Sequence, residues 1–329
     1  MNTKSFLTLA VASSLSLLPI SPARGQVDAI TNISKAGTNI TITWNNFGPG
    51  PPYVYTVEYT SDFMTAPWTQ VTPATSPWTD VGVLSTEAIR FYRVAPNDPG
   101  GERTFPVGFV KVEALANECT MMSVPLLWSP PGTLPDMRLA DPAAGNLPIG
   151  DMLADALPPG GGLLTAPSIF KDWDPVLMTY REKAFLDSTT SMWRDEAGSV
   201  SGMSFGLGEG FWLYTTTLCP NPATIVFLGW VPMDATISVT LVKGWTMFNW
   251  PYPTTLELKY STLRHVGVDG DMVFEWNPTT GTYTTATLAG GRWLDSGGGL
   301  STITFVPGTA KWYLRMASNA VVWFCTRPY

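Results

Sequence analysis

Histidine is almost missing from this 329-residue chain; the one present is His265. Histidine is the side chain whose ordinary pKa lies near neutral pH, so it is the usual general base. His265 sits in Leu263-Arg264-His265-Val266, at the expected end of a short helix, where a structural role is the natural reading. Zinc-protease H-E-x-x-H and phosphate-loop patterns are absent too. Charge is scarce: 14% of residues are charged, against about 25% in average soluble proteins. With 45% hydrophobic residues and no long run of one charge, the composition excludes a disordered chain. Cysteine is limited to Cys119, Cys219 and Cys325, with no C-x-x-C, which excludes zinc and redox motifs at the pattern level. Past the amino terminus no stretch reaches the roughly 18 apolar residues that a membrane helix needs.

The amino terminus is different in kind. Lys4 precedes an apolar run from Phe6 to Leu18, and Pro19, Ser21, Pro22, Ala23, Arg24 and Gly25 follow. A basic start, a short apolar stretch and small residues predict a secretory signal over 1–25, cut after Gly25 or after Ala23. Its removal takes away Lys4 and Arg24 and no acid. The balance goes from 19 basic against 26 acidic residues to 17 against 26, a net charge of −9. Such a chain repels a phosphate backbone, so nucleic acid is not an expected partner. Export permits one disulfide. Pairing of Cys119 with Cys219, leaving Cys325 free, and three buried thiols are equal alternatives at this level.

Residues 26–97 alternate polar and apolar side chains over Asn39 to Trp44, Tyr53 to Tyr59 and Ile89 to Val94. A period of two with β-branched and aromatic residues predicts half-buried strands. Turns fall at Gly48-Pro49-Gly50-Pro51-Pro52, at 62–67 and at 72–77. Ile42-Thr43-Trp44, the proline-rich turn, Tyr55-Thr56-Val57-Glu58-Tyr59, Trp68-Thr69-Gln70-Val71 and Phe91-Tyr92-Arg93-Val94 together resemble a fibronectin type III domain. The resemblance implies that Trp44 packs the core, that Tyr92 fixes a strand corner, and that the module is a spacer or adhesive unit without catalytic residues. The family's last strand should follow Val94. Here 98–105 reads as a linker, so the module is either truncated or closed by the next segment.

Residues 106–329 repeat one unit twice, as 106–232 and 233–329. Thr120-Met121-Met122-Ser123-Val124-Pro125 reappears as Thr246-Met247-Phe248-Asn249-Trp250-Pro251. Ile169 to Pro175 reappears as Val273 to Pro278 with one residue fewer, and a tyrosine follows each proline by five, at Tyr180 and Tyr283. Trp193 and Asp195 match Trp293 and Asp295; Gly208 and Trp212 match Gly308 and Trp312; Ile225-Val226-Phe227 matches Val322-Trp323-Phe324. Order kept over six anchors indicates duplication. The expected fold class is all-β: the fibronectin-like sandwich plus two copies of a small β-sandwich or barrel, packed as two lobes, with short helical segments only at 149–157 and 261–265. The unit resembles a β-rich repeat of uncharacterised exported bacterial proteins, through Val124-Pro125, Phe170 to Asp174 and Gly208-Glu209-Gly210-Phe211-Trp212. That resemblance implies export and brings no activity.

Acid pairs able to run glycoside chemistry were sought among Asp172, Asp174, Asp195, Glu209, Asp269 and Asp271. Most fall in predicted turns, where carboxylates cap backbone amides. Val268-Asp269-Gly270-Asp271 reads as a hairpin turn rather than a calcium loop. No catalytic residue, metal or cofactor is therefore expected. Fourteen tryptophans are the remaining signal. Trp68, Trp78, Trp128, Trp230 and Trp250 stand near turns or prolines and are the candidate surface platforms. Trp173, Trp193, Trp212, Trp276, Trp293 and Trp312 recur between copies and are expected in cores. The sequence thus points to a secreted or cell-surface binding or scaffolding protein, its partners polysaccharide or other surface proteins. A glycan binder is the second reading and a secreted acid-pair hydrolase the third.

Overall fold

The fold is described from a computed structural model for residues 30–45, 54–96, 103–127, 147–148, 168–187, 192–199, 201, 203–216 and 222–329. The signal segment, Trp128, Cys219 and the helix expected at 149–157 lie outside the described residues. Within them the chain is all-β apart from helix α1 (Val83–Thr86) and two 3-10 turns, Leu258–Tyr260 and Thr262–His265. The second of these turns falls on the helical segment expected at 261–265. No helix among the described residues is long and apolar enough to cross a membrane.

The first seven strands are β1 (Ile30–Ala36), β2 (Asn39–Trp44), β3 (Tyr55–Thr60), β4 (Thr69–Ala74), β5 (Trp78–Asp80), β6 (Ile89–Pro96) and β7 (Val107–Ala114). One antiparallel sheet has the order β1-β2-β5. The alternation in β2 points Ile40, Ile42 and Trp44 inward. They meet Tyr55, Val57, Tyr92, Val94 and Phe109 from a second sheet in one core. Trp44 packs edge-on to Tyr55 at 5.7 Å. The buried Tyr92 hydroxyl donates to Asp80 Oδ2 at 2.9 Å. Glu58 turns away from that core and is nevertheless buried. Burial alone would raise its pKa, but hydrogen bonds from Arg103 and Arg93 outweigh it and hold the carboxyl below its usual value.

Strand β7 extends the second sheet between β6 and the later strand Ala223–Trp230. It pairs antiparallel with β6, Tyr92 opposite Val107 and Ile89 opposite Val110. Its first half, Val107 to Val110, is buried on both faces, whereas Lys111 and Glu113 make one face of its second half polar. Val107 and Phe109 enter the first module's core, whereas Val110, Val112 and Ala114 enter the core of the first repeat. The segment after the linker therefore belongs to both units.

The first copy continues with β8 (Cys119–Ser123), β9 (Leu147–Pro148), β10 (Ile169–Asp174), β11 (Thr179–Asp187), β12 (Met192–Arg194), β13 (Ser204–Phe205), β14 (Gly210–Tyr214) and β15 (Ala223–Trp230). The second has β16 (Thr236–Leu241), β17 (Gly244–Phe248), β18 (Leu256–Glu257), β19 (Met272–Asn277), β20 (Thr282–Ala289), β21 (Arg292–Asp295), β22 (Thr304–Phe305), β23 (Lys311–Arg315) and β24 (Val321–Thr326). The five-stranded sheets run β8-β14-β10-β11-β12 and β17-β23-β19-β20-β21, the same order strand for strand. β9 pairs β13 as β18 pairs β22, and β7 pairs β15 as β16 pairs β24. Turn chemistry repeats as well. Asp195 Oδ1 accepts the N–H groups of Ala197 and Ser199, and Asp295 Oδ1 those of Gly297 and Gly299, all at 2.9 Å.

Strand registers revise two of the sequence anchors. Lys171 lies opposite Trp212 and Phe274 opposite Trp312. β10 and β19 therefore align without a gap, Phe170 with Val273. The extra residue sits one strand later: β11 shifts register against β10 between Asp172 and Trp173. The last anchor is out of step by one. Val112 pairs Ile225 and Val239 pairs Trp323, and the two valines are equivalent because each faces a matching glycine of the other copy. A Cβ on Gly308 would meet Val112 Cγ2 at 2.5 Å, and one on Gly208 would meet Val239 Cγ2 at 2.9 Å. Hence Ile225 corresponds to Trp323 and Val226 to Phe324. A one-residue slip reverses inside and outside in a strand.

The copies are joined by reciprocal backbone bonds. Ser123 N–H donates to Gly308 O and Asn249 N–H to Gly208 O, each at 3.0 Å. Both glycines have positive φ, +76° at Gly208 and +82° at Gly308. Only a residue without Cβ adopts that backbone freely while lying this close to the neighbouring copy.

Candidate functional site

Trp193 and Trp293 are core residues of their own copies, as their recurrence suggested. The other four recurring tryptophans do something else: they line the seam between copies. Trp212 and Trp312 are buried there with Met121, Met247 and Ala310, and Trp173 and Trp276 pack against them. Trp212 meets Trp276 edge to face at 5.8 Å, and Trp312 meets Trp173 at 5.2 Å. Trp276 Nε1 donates to Cys119 O at 2.7 Å and Trp173 Nε1 to Trp245 O at 2.9 Å. Tyr180 packs on Trp173 at 5.2 Å and Tyr283 on Trp276 at 4.9 Å. The Trp212 indole N–H faces the Tyr180 hydroxyl, and that of Trp312 faces the Tyr283 hydroxyl. Six rings, three from each copy, thus close a circuit with approximate two-fold symmetry.

At one end of this circuit lies a groove of about 350 Å³. Trp212, Trp276, Tyr180, Tyr283 and Tyr214 form its walls, and Asn117, Glu118, Cys119 and Lys171 complete it. Tyr180 and Tyr283 keep 38% and 43% of their surface exposed, so both side chains are partly open to solvent. The rim carries one charge of each sign and groups that both donate and accept. The Tyr214 hydroxyl donates to Asn117 Oδ1 at 2.8 Å, and Lys171 Nζ lies 5.9 Å from the centre of the Tyr180 ring. Burial pushes both tyrosine hydroxyls above their ordinary value, opposed by the indole N–H groups. Burial likewise raises the Cys119 thiol, with the Lys171 charge opposing. A thiol so placed is a wall rather than a nucleophile.

The five candidate platforms do not form this groove. Trp68 is half-buried against the first repeat's core, with the Arg93 guanidinium stacked 3.9 Å from its ring. Trp78 and Trp230 are half-buried at the first module's core. Trp250 is a correction: it is buried, packs in the second copy's core and donates from Nε1 to Thr254 Oγ1 at 3.1 Å. Its proline neighbours mark a strand end turning inward. Trp128 and Cys219 lie outside the described residues, and with Cys219 the expected Cys119–Cys219 pairing; Cys325 is a buried free thiol.

The candidate acids do not converge. Asp271 is fully buried and structural. It accepts from Tyr313 Oη at 2.5 Å, Met316 N at 2.7 Å, Val268 N at 2.9 Å and Arg315 Nη1 at 3.3 Å. Asp174 and Asp195 cap turn amides, and Glu209 accepts from Gly206 N at 3.0 Å. Asp172 is buried, while Asp269 and His265 are exposed. Among the described residues no three metal-capable side chains cluster. One pattern escaped the sequence reading: Gly202-Met203-Ser204-Phe205-Gly206 spells G-x-S-x-G. Its nucleophile context, a sharp strand-to-helix turn, is not met. Ser204 lies in β13, paired to β9, and the next element is β14. Comparison with protein-family models returns no match, and comparison with curated proteins returns no relative.

Proposed function

We propose that this chain is an exported, non-catalytic binding protein that presents one carbohydrate-binding groove from a rigid scaffold. The observation that carries the reading is the groove itself: partly exposed tyrosines beside a tryptophan wall, with a polar rim of balanced charge. Aromatic rings hold the apolar C–H faces of a sugar, and a few placed polar groups orient its hydroxyls. The start of the chain supports export. The strand order β1-β2-β5 against β4-β3-β6-β7 supports a fibronectin type III-like spacer. Its sheet runs on into β15 of the first repeat, so the spacer and the binding half move together.

The test is a glycan array and a fluorescence titration of the purified exported chain. Tryptophans line the groove, so a saturable change in their emission on adding oligosaccharide is the expected result. A silent array together with unmoved emission would remove the carbohydrate reading.

A further inference from the structure

Resting on that carbohydrate reading, we propose that the groove is one of two equivalent slots. Trp245 and Phe274 plug the other from within, and the open slot takes one neutral pyranose ring where the plug has its own rings.

The correspondence follows from strand register. In the first copy Tyr214 lies opposite Cys119, and in the second Leu314 lies opposite Trp245, so Cys119 and Trp245 are equivalent. Lys171 and Phe274 are equivalent because each lies opposite the matching tryptophan, Trp212 or Trp312. The frame around them is the same on both sides, down to the indole N–H that bonds the carbonyl of Cys119 or Trp245.

The fillings differ, and so does the rim, where Leu314 and Gly244 stand in place of Tyr214 and Glu118. In the second copy the Trp245 and Phe274 rings lie 5.0 Å apart, Trp245 is 5.9 Å from Trp312, and Phe274 stands at 87° to Tyr283 at 6.1 Å. In the first copy a short thiol replaces the indole. A flexible ammonium chain over Tyr180 replaces the phenyl. Two rings are missing from a frame built around rings, and the groove opens there. What fits is a six-membered ring with an apolar face and a polar edge. Lys171 and Glu118 bring opposite charges to the rim, which favours a neutral sugar over a uronic acid or an amino sugar bearing free charge. Lys171 already holds the cation position over Tyr180, which disfavours a quaternary ammonium.

The experiment titrates the exported chain with glucose, cellobiose, maltotriose and di-N-acetylchitobiose, and with N-acetyltryptophanamide as an aromatic rival. Wild type should bind one saccharide per chain. Cys119→Trp and Lys171→Phe, which copy the plug, should each weaken that binding at least tenfold with the melting transition kept. Trp245→Cys combined with Phe274→Lys should raise the stoichiometry to two. Protection of Cys119 from iodoacetamide by the bound saccharide, read on its peptide at alkaline pH where the raised thiol ionises, needs no variant. Saccharide binding that survives both plugging variants, or leaves Cys119 unprotected, overturns the slot while the carbohydrate reading stands. No saccharide binding by wild type overturns both. Binding of N-acetyltryptophanamide alone makes the slot a socket for a protein side chain and equally overturns the sugar assignment.

Discussion

The strand pairs β7–β15 and β16–β24 occupy the same place in the two repeats and meet opposite surroundings. The first copy's pair is covered: β6 pairs with its edge, and Val226 lies in the first module's core. The second copy's pair forms a two-stranded sheet whose outer face is open, with Phe324 60% and Val322 37% exposed. The strands record the difference. β7 is buried on both faces over Val107 to Val110 and carries Lys111 and Glu113 only beyond them, whereas β16 alternates Thr236, Ser238 and Thr240 outward with Val239 and Leu241 inward. One fold thus serves as a joint in one copy and as a free surface in the other, and the outward residues match each setting. The aromatic seam teaches the same lesson on a smaller scale, since Cys119 and Lys171 line an open groove where Trp245 and Phe274 fill the equivalent place.

Five substitutions at three places probe this contrast. The largest effect is expected at the outward position of the strand pair. Val226→Asp buries an unpaired carboxylate between sheets and should cost more than about 3 kcal/mol. Phe324→Asp, at the equivalent place, should stay within about 0.5 kcal/mol. Urea unfolding of the two variants measures the difference, and equal losses would show that the second strand pair is covered in solution.

The next effect lies at the seam. Gly208→Ala and Gly308→Ala force a Cβ into a positive-φ backbone facing a valine of the other copy. Each should destabilise by about 1–3 kcal/mol. Gly308→Ala should cost more, because its approach of 2.5 Å is tighter than the 2.9 Å at Gly208. Thermal melting of the pair checks the order, and a reversal would mean that the copies separate readily.

The smallest effect is one of pH. Trp212 and Trp312 are equivalent, so Lys311 of β23 stands where the first copy has Phe211. Burial lowers the Lys311 pKa below its usual value, with Glu275 at 2.6 Å opposing. Its charged form is thus disfavoured in the folded chain. Between the lowered folded value and the ordinary unfolded one, the unfolded chain binds more protons, so stability contributed here rises with pH in that window. Lys311→Phe should flatten the alkaline rise relative to wild type. An unchanged difference curve would show that the ammonium is solvated.

Much of the duplication was legible because it was written in residues with few substitutes. Paired tryptophans, the aspartates that cap turn amides and the glycines at the seam recur in order. Two details were not legible. Phe274 attracted an alignment with Phe170 by identity, yet the backbone sets it against Lys171, because side-chain resemblance carries no register. Similarly, Trp323 was matched to Val226 although they face opposite sides. The groove was missed for a related reason. Recurrence was read as a sign of core, and Trp173, Trp212, Trp276 and Trp312 are indeed largely covered, but by the other copy. Proximity to proline was read as exposure, and Trp250 follows the core instead.

The amino-acid sequence by itself determined that this chain forms strands, that it repeats, and which residues turn the backbone, because alternation and turn chemistry act over a few neighbours. Only the tertiary structure decided that β7 is shared between two units and that six rings from two copies enclose one open groove. Those outcomes depend on faces brought together from residues tens to more than a hundred positions apart, whose packing no local pattern encodes.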